Sequence, residues 1–256
     1  MKNHEHWKDF FGKDYIPFSE TILTSERTEF EVKQLLKILD LPKGSKILDL
    51  GCGQGRVSIP LAKAGYKVTS YDGSQALLDE AKNRANRDNV DIQFVHGDMR
   101  QLNYDTEFDA IINLGTAFGY VPEETDDLNI LNRVYKALKP NGLFLQETEN
   151  REMKLQNTMG KTWSEMNGQP VWSDRSFNCE TGRWKETICW WGENKIEKKV
   201  LDIRLYSTTE LKRMLTETNF NVLKVYGGFD LSELTVSSKR LLLVNQKKSG
   251  TSSENS

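Results

Sequence analysis

The chain has 256 residues, 37% of them hydrophobic and 28% charged, with a formal net charge of −2. That composition supports one packed α/β domain carrying an insertion and excludes wholesale disorder, and the near-neutral charge offers no general field for nucleic acid or an anionic membrane. No apolar run reaches the roughly 20 residues of a membrane span, no signal-peptide core follows Met1, and Cys52, Cys179 and Cys189 are too scattered for a disulfide framework or a zinc knuckle; the expectation is a cytoplasmic protein that needs neither membrane nor metal.

Residues 1–14 are polar with interleaved aromatics and read as a short helix or an arm. Apolar residues at helical spacing over 20–40 predict one helix ending before Pro42 and Gly44, so residues 1–40 form an N-terminal helical cap. Strand and helix signals then alternate. Strands are predicted over Lys46–Leu50, Lys67–Tyr71, Ile92–Val95, Asp109–Asn113 and Gly142–Glu147, and helices over Val57–Ala64, Ser74–Arg87 and Asp126–Leu138. This rhythm over 41–150 argues for a mostly parallel sheet with helices on both faces. Beyond residue 150 it breaks. Val171–Asn178, Arg183–Trp191 and Lys195–Tyr206 read as three antiparallel strands joined by hairpin turns, giving a β insertion over 151–206. A helix over Thr208–Thr218 and strands over Asn221–Tyr226 and Arg240–Gln246 complete the core over 207–247, and the polar, serine-rich stretch 248–256 reads as a disordered tail.

Three acids and a glycine-rich loop carry the functional signal. In Ile47-Leu48-Asp49-Leu50-Gly51-Cys52-Gly53-Gln54-Gly55-Arg56 a buried strand runs into glycines that open a helix, as a loop that lets a ligand approach the backbone does. Asp72 ends the next strand, about 20 residues on, where an acid can accept from ribose hydroxyls. Asp98, in His96-Gly97-Asp98-Met99, ends the third and could accept from an exocyclic amine. Each signal alone also fits a tight turn or a helix cap; together they form one crevice at the carboxyl edge of a sheet. The spacing G-x-G-x-G differs from the G-x-G-x-x-G of dinucleotide folds, which disfavours an NAD oxidoreductase.

These segments, with Tyr71-Asp72-Gly73-Ser74, Phe108-Asp109-Ala110-Ile111-Ile112 and Leu138-Lys139-Pro140-Asn141-Gly142-Leu143, resemble the class I, Rossmann-like S-adenosylmethionine-dependent methyltransferases over roughly residues 40–148. The resemblance implies a seven-stranded, mostly parallel sheet and S-adenosylmethionine as cofactor, with S-adenosylhomocysteine as product. It places Gly51, Cys52, Gly53 and Gly55 along the methionine part, Asp72 with Gly73 and Ser74 at the ribose, and Asp98 with Met99 at adenine. Asn113, Leu114, Gly115 and Phe118, after the fourth strand, fall near the methyl. Because the N-terminal segment closes over the cofactor in such relatives, Tyr15 and Arg27 are candidates by position. Gly73 stands where the family often has a bulkier residue.

Methyl transfer from a sulfonium is an in-line displacement with a neutral thioether leaving, so alignment and water exclusion matter more than a compulsory base. Tyr120 and Glu147 are the candidate groups at the reacting centre. Five of the six tryptophans fall within 151–206, which suggests that the insertion is a substrate lid, with Arg204 and Tyr206 on one strand face orienting the acceptor. The expected activity is transfer to N or O of a small-molecule acceptor by a monomer or homodimer. Competing readings are RNA or protein methylation, which the missing basic surface disfavours, and a non-catalytic cofactor-binding regulator.

Overall fold

The computed structural model describes residues 4–157, 159–166, 168–192 and 194–248. Three helices lead in: α1 (Trp7–Phe10), α2 (Tyr15–Ile22) and α3 (Ser25–Leu39). The single helix expected over 20–40 is divided because Thr24 takes an extended backbone and its side chain accepts from the Arg27 amide at 3.3 Å, starting a new helix.

The core then runs β1 (Lys46–Leu50), α4 (Ser58–Lys63), β2 (Lys67–Asp72), α5 (Gln75–Arg87), β3 (Gln93–His96), a 3₁₀ turn (Met99–Gln101), β4 (Phe108–Asn113), α6 (Glu124–Ala137) and β5 (Leu138–Glu149). Strand β5 starts earlier than its apolar run, since Leu138 pairs with Phe108 before the register shifts. After the insertion come α8 (Thr208–Glu217), β10 (Phe220–Tyr226) and β11 (Arg240–Lys247). The seven strands are ordered β10-β11-β5-β4-β1-β2-β3. Strands β1 to β5 pair in parallel, and β11 is antiparallel to both its neighbours. This is the mostly parallel sheet expected from the alternation, in the seven-stranded, Rossmann-like form that the resemblance implies.

Side-chain alternation sorts the core into two layers. Leu48, Leu50, Ile111 and Phe144 pack with α6 and α8 on one face, and Ile47, Ala110, Ile112 and Leu145 pack with α3 and α4 on the other. The chain builds β1-β2-β3 outward and then returns to place β4 on the other side of β1. That reversal leaves a crevice at the carboxyl ends of β1 and β4, where open α/β sheets bind ligands.

Residues 151–206 contain a helix and four strands, not three strands: α7 (Arg151–Asn157), β6 (Gly160–Met166), β7 (Gln169–Asn178), β8 (Arg183–Trp191) and β9 (Ile196–Arg204) form an antiparallel sheet in sequence order. It is fastened to the core by Trp184, Ile203 and Leu205, which pack with Tyr120, and by the Arg204 amide donating to Gly119 O at 2.8 Å. Tyr206 lies beyond the end of β9. Of the expected tail, residues 249–256 lie outside the described residues.

Candidate active site

The glycine loop follows β1 and stands over the crevice. Gly51 has φ +80, and a Cβ there would sit 2.6 Å from Ala117 Cβ and 2.8 Å from Met99 Cε; the position excludes any other residue on both counts. Asp72, at the end of β2, accepts from the Gly53 amide and from the Ser74 amide, each at 2.7 Å. It thereby clamps the loop to the start of α5 while keeping further lone pairs for a ligand. Burial pushes its carboxyl above the ordinary value, and the two amides work against that rise. Asp98 is held by Arg100, whose Nε lies 3.0 and 3.1 Å from its two oxygens. Burial raises the Asp98 carboxyl, but the guanidinium and the Arg100 amide more than offset it, leaving it below the usual carboxylate range.

The crevice is a cleft of about 1110 Å³ lined by Gly51, Cys52, Gly53, Asp72, Gly73, Asp98, Met99, Leu114, Gly115, Phe118 and Tyr120, as the sequence reading placed them, and also by Asp49, Arg56 and Asp127. Asp49 accepts from Ser58 Oγ at 2.6 Å, and burial lifts its carboxyl to about 6. Cys52 is buried and its thiol is pushed well up by that burial, so it stands as a neutral wall.

Four residues expected at the cofactor stand behind the wall or beside it. Gly55 packs against Ala81 of α5. Ser74 caps α5 through the Leu77 amide and donates to Phe11 O at 2.5 Å. Asn113 donates to Leu50 O at 2.8 Å, leaving its own buried Oδ1 without a partner. Arg27 lines the adjoining cavity and binds Glu31 through Nε at 2.6 Å.

The N-terminal arm brings Tyr15, a candidate by position, to the cleft, together with four residues that the sequence did not single out. Trp7, Phe11, Tyr15, Ser19 and Leu23 all line the cleft; they come from two short helices and the residues that end them, so no single helical periodicity marks them in the sequence. The arm is tied down by Ser19 with Gln54, at 2.9 and 3.1 Å, and by Glu5 to Arg100 at 2.6 Å. Trp7 covers Gly73, where a Cβ would approach its ring to 2.6 Å. The small residue at 73 is therefore the complement of an indole that bulkier residues would displace. Trp7 Nε1 is buried without a partner.

A second cavity, with an empty volume of about 1400 Å³, adjoins the cleft. The two share Phe11, Tyr15, Ser19, Leu23, Gly115, Thr116 and Tyr120. The far wall of the second is the inner face of the antiparallel sheet, including Val171, Ser173, Arg175, Trp184, Glu186 and Trp190, and Glu149 and Lys154 stand beside it. Tyr120 sits at the junction, edge-on to Phe11 with centroids 5.3 Å apart, and burial raises its hydroxyl so that it remains protonated.

Three of the four expected catalytic residues occupy other places. Glu147 accepts from the Gly115 amide at 2.7 Å and pairs with Arg240; burial raises its carboxyl and Arg240 more than compensates, bringing it below its usual value. It anchors the loop after β4 and lines neither cavity. Arg204 and Tyr206 both reach Asp127 on α6, at 3.2 and 2.8 Å, and border a separate recess. Glu149, one pleat beyond Glu147, is the acid that lines the second cavity, with Arg240 Nη1 at 3.2 Å and Lys154 at 3.4 Å. Among the described residues no group of three or more His, Cys, Asp or Glu side chains is placed to hold a metal ion, and no helix is long and apolar enough to cross a membrane.

Comparison with known proteins agrees with this geometry. Residues 47–142 match a family model described as a methyltransferase domain. The glycine/sarcosine N-methyltransferase of Aphanothece halophytica is 29% identical over 158 residues, 60% of each chain. A crystal structure of an S-adenosylmethionine-dependent methyltransferase from Clostridium acetobutylicum superposes with a TM-score of 0.81 at 18% identity, over 92% of this chain and 98% of that one. The S-adenosylmethionine-bound amino pentose methyltransferase CalS10 of Micromonospora echinaspora gives 0.69 at 17% identity, over 92% and 97%.

Proposed function

We propose that this chain, a member of the class I S-adenosylmethionine-dependent methyltransferase family, moves the methyl group to a nitrogen or oxygen of a small acceptor seated between its core and its antiparallel sheet. The observation that carries the reading is the second cavity: a pocket open to solvent, walled by the arm and the antiparallel sheet and joined to the cofactor cleft at Tyr120, Gly115 and Thr116. Relatives that act on glycine, sarcosine or an amino pentose support an acceptor of that size.

The cleft fits the cofactor. Asp72 retains acceptor capacity for ribose hydroxyls, Trp7 Nε1 is a buried donor awaiting an acceptor, and Gly51 leaves open a space that a Cβ would fill. When bound, S-adenosylmethionine supplies an electrophilic methyl on a sulfonium and leaves as the neutral thioether S-adenosylhomocysteine. The chain's own part is to hold, orient and dry the site. Asp72 and Asp98 hold the nucleoside; the loop from Leu114 to Phe118 and the rings of Tyr15, Phe118 and Tyr120 form the wall near the methyl, where aromatic faces stabilise a cation by about 0.5–2 kcal/mol. On the acceptor side Tyr120 keeps its proton and donates, while Glu149 accepts from an N–H or O–H of the acceptor. No residue is required to protonate the leaving group, so proximity and exclusion of water by the arm and the sheet supply the acceleration.

The test is turnover. The protein is incubated with methyl-labelled S-adenosylmethionine and a panel of small amines, amino acids, amino sugars and phenols, alongside RNA and protein. S-adenosylhomocysteine release that depends on a small molecule is the expected result; label entering only RNA or protein, or tight binding with no transfer to anything, refutes the reading.

A further inference from the structure

The outer face of the antiparallel sheet, turned away from both cavities, exposes large rings. Trp163 is 71% exposed, Trp172 44% and Trp191 57%. Trp163 on β6 lies directly opposite Trp172 on β7, and Trp191 on β8 directly opposite Ile196 on β9, which is 57% exposed. Contiguous apolar surface of this kind on a soluble domain marks a contact site. The two edges of the sheet differ. Strand β9 is covered by the arm, with Lys199 Nζ donating to Asp9 O at 2.8 Å and pairing with Asp14 at 3.3 Å. Strand β6 is the other edge, and no strand among the described residues pairs on its outer side. It has no proline and no bulge, and its five central residues are all exposed. Proline and bulges normally blunt an edge, and without them β6 presents a row of unpaired backbone groups, guarded only by the charges of Lys161 and Glu165.

The sequence of that edge is Lys161-Thr162-Trp163-Ser164-Glu165. Read about its centre it is self-complementary: opposite charges stand two residues either side of Trp163, with two small hydroxyl residues between. Neither Lys161 nor Glu165 forms an ion pair among the described residues.

We propose that β6 is the contact strand of a homodimer, pairing antiparallel with its own copy about a two-fold axis at Trp163. That register sets Lys161 opposite the partner subunit's Glu165, and Glu165 opposite the partner subunit's Lys161, on the same outer face as the tryptophans. It sets Thr162 opposite the partner subunit's Ser164 on the inner face. Trp172, Trp163 and their two copies then form one row of four indoles across the axis, at the close spacing of cross-strand neighbours. The two four-stranded sheets become one continuous sheet of eight. A closed two-fold satisfies every backbone group of the edge that register can reach and leaves no template for further growth. A single-sign or proline-bearing edge would reject its copy; this one is matched to it, which separates a second copy from an unrelated partner.

The experiment is sedimentation equilibrium of the full chain, wild type against Lys161→Glu, Glu165→Lys and the double exchange Lys161→Glu/Glu165→Lys. Both positions lie on the exposed face and outside both cavities, and melting temperatures report that the variants fold. The wild type is expected to be dimeric. Each single reversal places like charges opposite one another twice and should weaken the dimer by roughly tenfold or more, and the double exchange should restore it. A monomeric wild type overturns the proposal, and so does a dimer that the single reversals leave unchanged or that the double exchange fails to recover.

Discussion

Replacing Tyr206 by phenylalanine separates two roles for the residue, as a group on the acceptor and as a support for Asp127. Asp127 is fully buried on α6, and its Oδ2 accepts from Tyr206 Oη at 2.8 Å and Arg204 Nη1 at 3.2 Å. Burial outweighs both partners and lifts its carboxyl from 3.8 to about 6. At about 1.36 kcal/mol for each tenfold change, keeping the carboxyl charged costs the fold on the order of 3 kcal/mol. The native state thus holds the Asp127 proton more tightly than the unfolded chain does. Its contribution to stability is fully present below pH 3.8 and is lost as pH rises through about 6. The Tyr206 hydroxyl stabilises the charged form, so its removal matters above that pH. Losing a hydrogen bond to a buried charge costs about 1.5–3 kcal/mol, a drop in melting temperature of roughly 3–12 °C for a chain of this size. Melting curves of wild type and Tyr206→Phe at pH 8 and pH 5, read by circular dichroism, should show that gap at pH 8 and a smaller one at pH 5. An equal gap at both would mean that the hydroxyl does not act through charged Asp127. An unchanged melting temperature with turnover lost would put Tyr206 on the acceptor after all.

Asp72→Ala should weaken S-adenosylhomocysteine binding by about 1.5–3 kcal/mol in calorimetry, since bonds to a charged group are lost at the ribose; equal affinity would remove Asp72 from the site. Gly51→Ala should cost at least roughly tenfold in the same measurement, because the new Cβ meets Ala117 at 2.6 Å with φ at +80; a variant that binds normally would show the loop to be free to move aside. Glu149→Gln should depress turnover or raise the acceptor KM while S-adenosylhomocysteine affinity stays within about 0.5 kcal/mol, the scatter of sites that do not touch a ligand. Loss of cofactor affinity instead would place Glu149 in the cofactor cleft.

The core was legible because buried parallel strands read as apolar runs, as in Ala110–Ile112 and in Ile47–Leu50, which only Asp49 interrupts. The acids at Asp72 and Asp98 were legible because each stands at or just beyond the carboxyl end of a strand signal. Strand β6 was not: its outer edge faces solvent, so Lys161 to Glu165 carry no apolar alternation and only the pairing with β7 makes them a strand. The split between α2 and α3 was hidden because the apolar spacing continues through Thr24, whose cap is a matter of one side-chain bond. Arg204 and Tyr206 do not share a strand face, since β9 ends at Arg204, but both side chains reach Asp127, and that contact depends on where α6 comes to rest. Glu147 and Glu149 are two residues apart on β5, so alternation does not separate them; the first is covered by the loop after β4, from whose Gly115 amide it accepts, and the second lines the cavity.

The N-terminal arm has a consequence for how the two cavities work together. Phe11, Tyr15, Ser19 and Leu23 wall both of them. The arm is fixed at several independent points: Glu5 to Arg100, which also holds Asp98; Phe11 O to Ser74, which caps α5 beside Asp72; Ser19 to Gln54 in the glycine loop; and Asp9 O with Asp14 to Lys199 on β9. Three of these lie on groups that frame the cofactor cleft and the last lies on the sheet that walls the second cavity. Any displacement of the arm large enough to open the cleft therefore also removes a wall of the second cavity and loosens the Asp98 and glycine-loop contacts at once. Exclusion of water from the junction at Tyr120 is then a property of the closed arm as a unit, because neither cavity can be dry while the other is open.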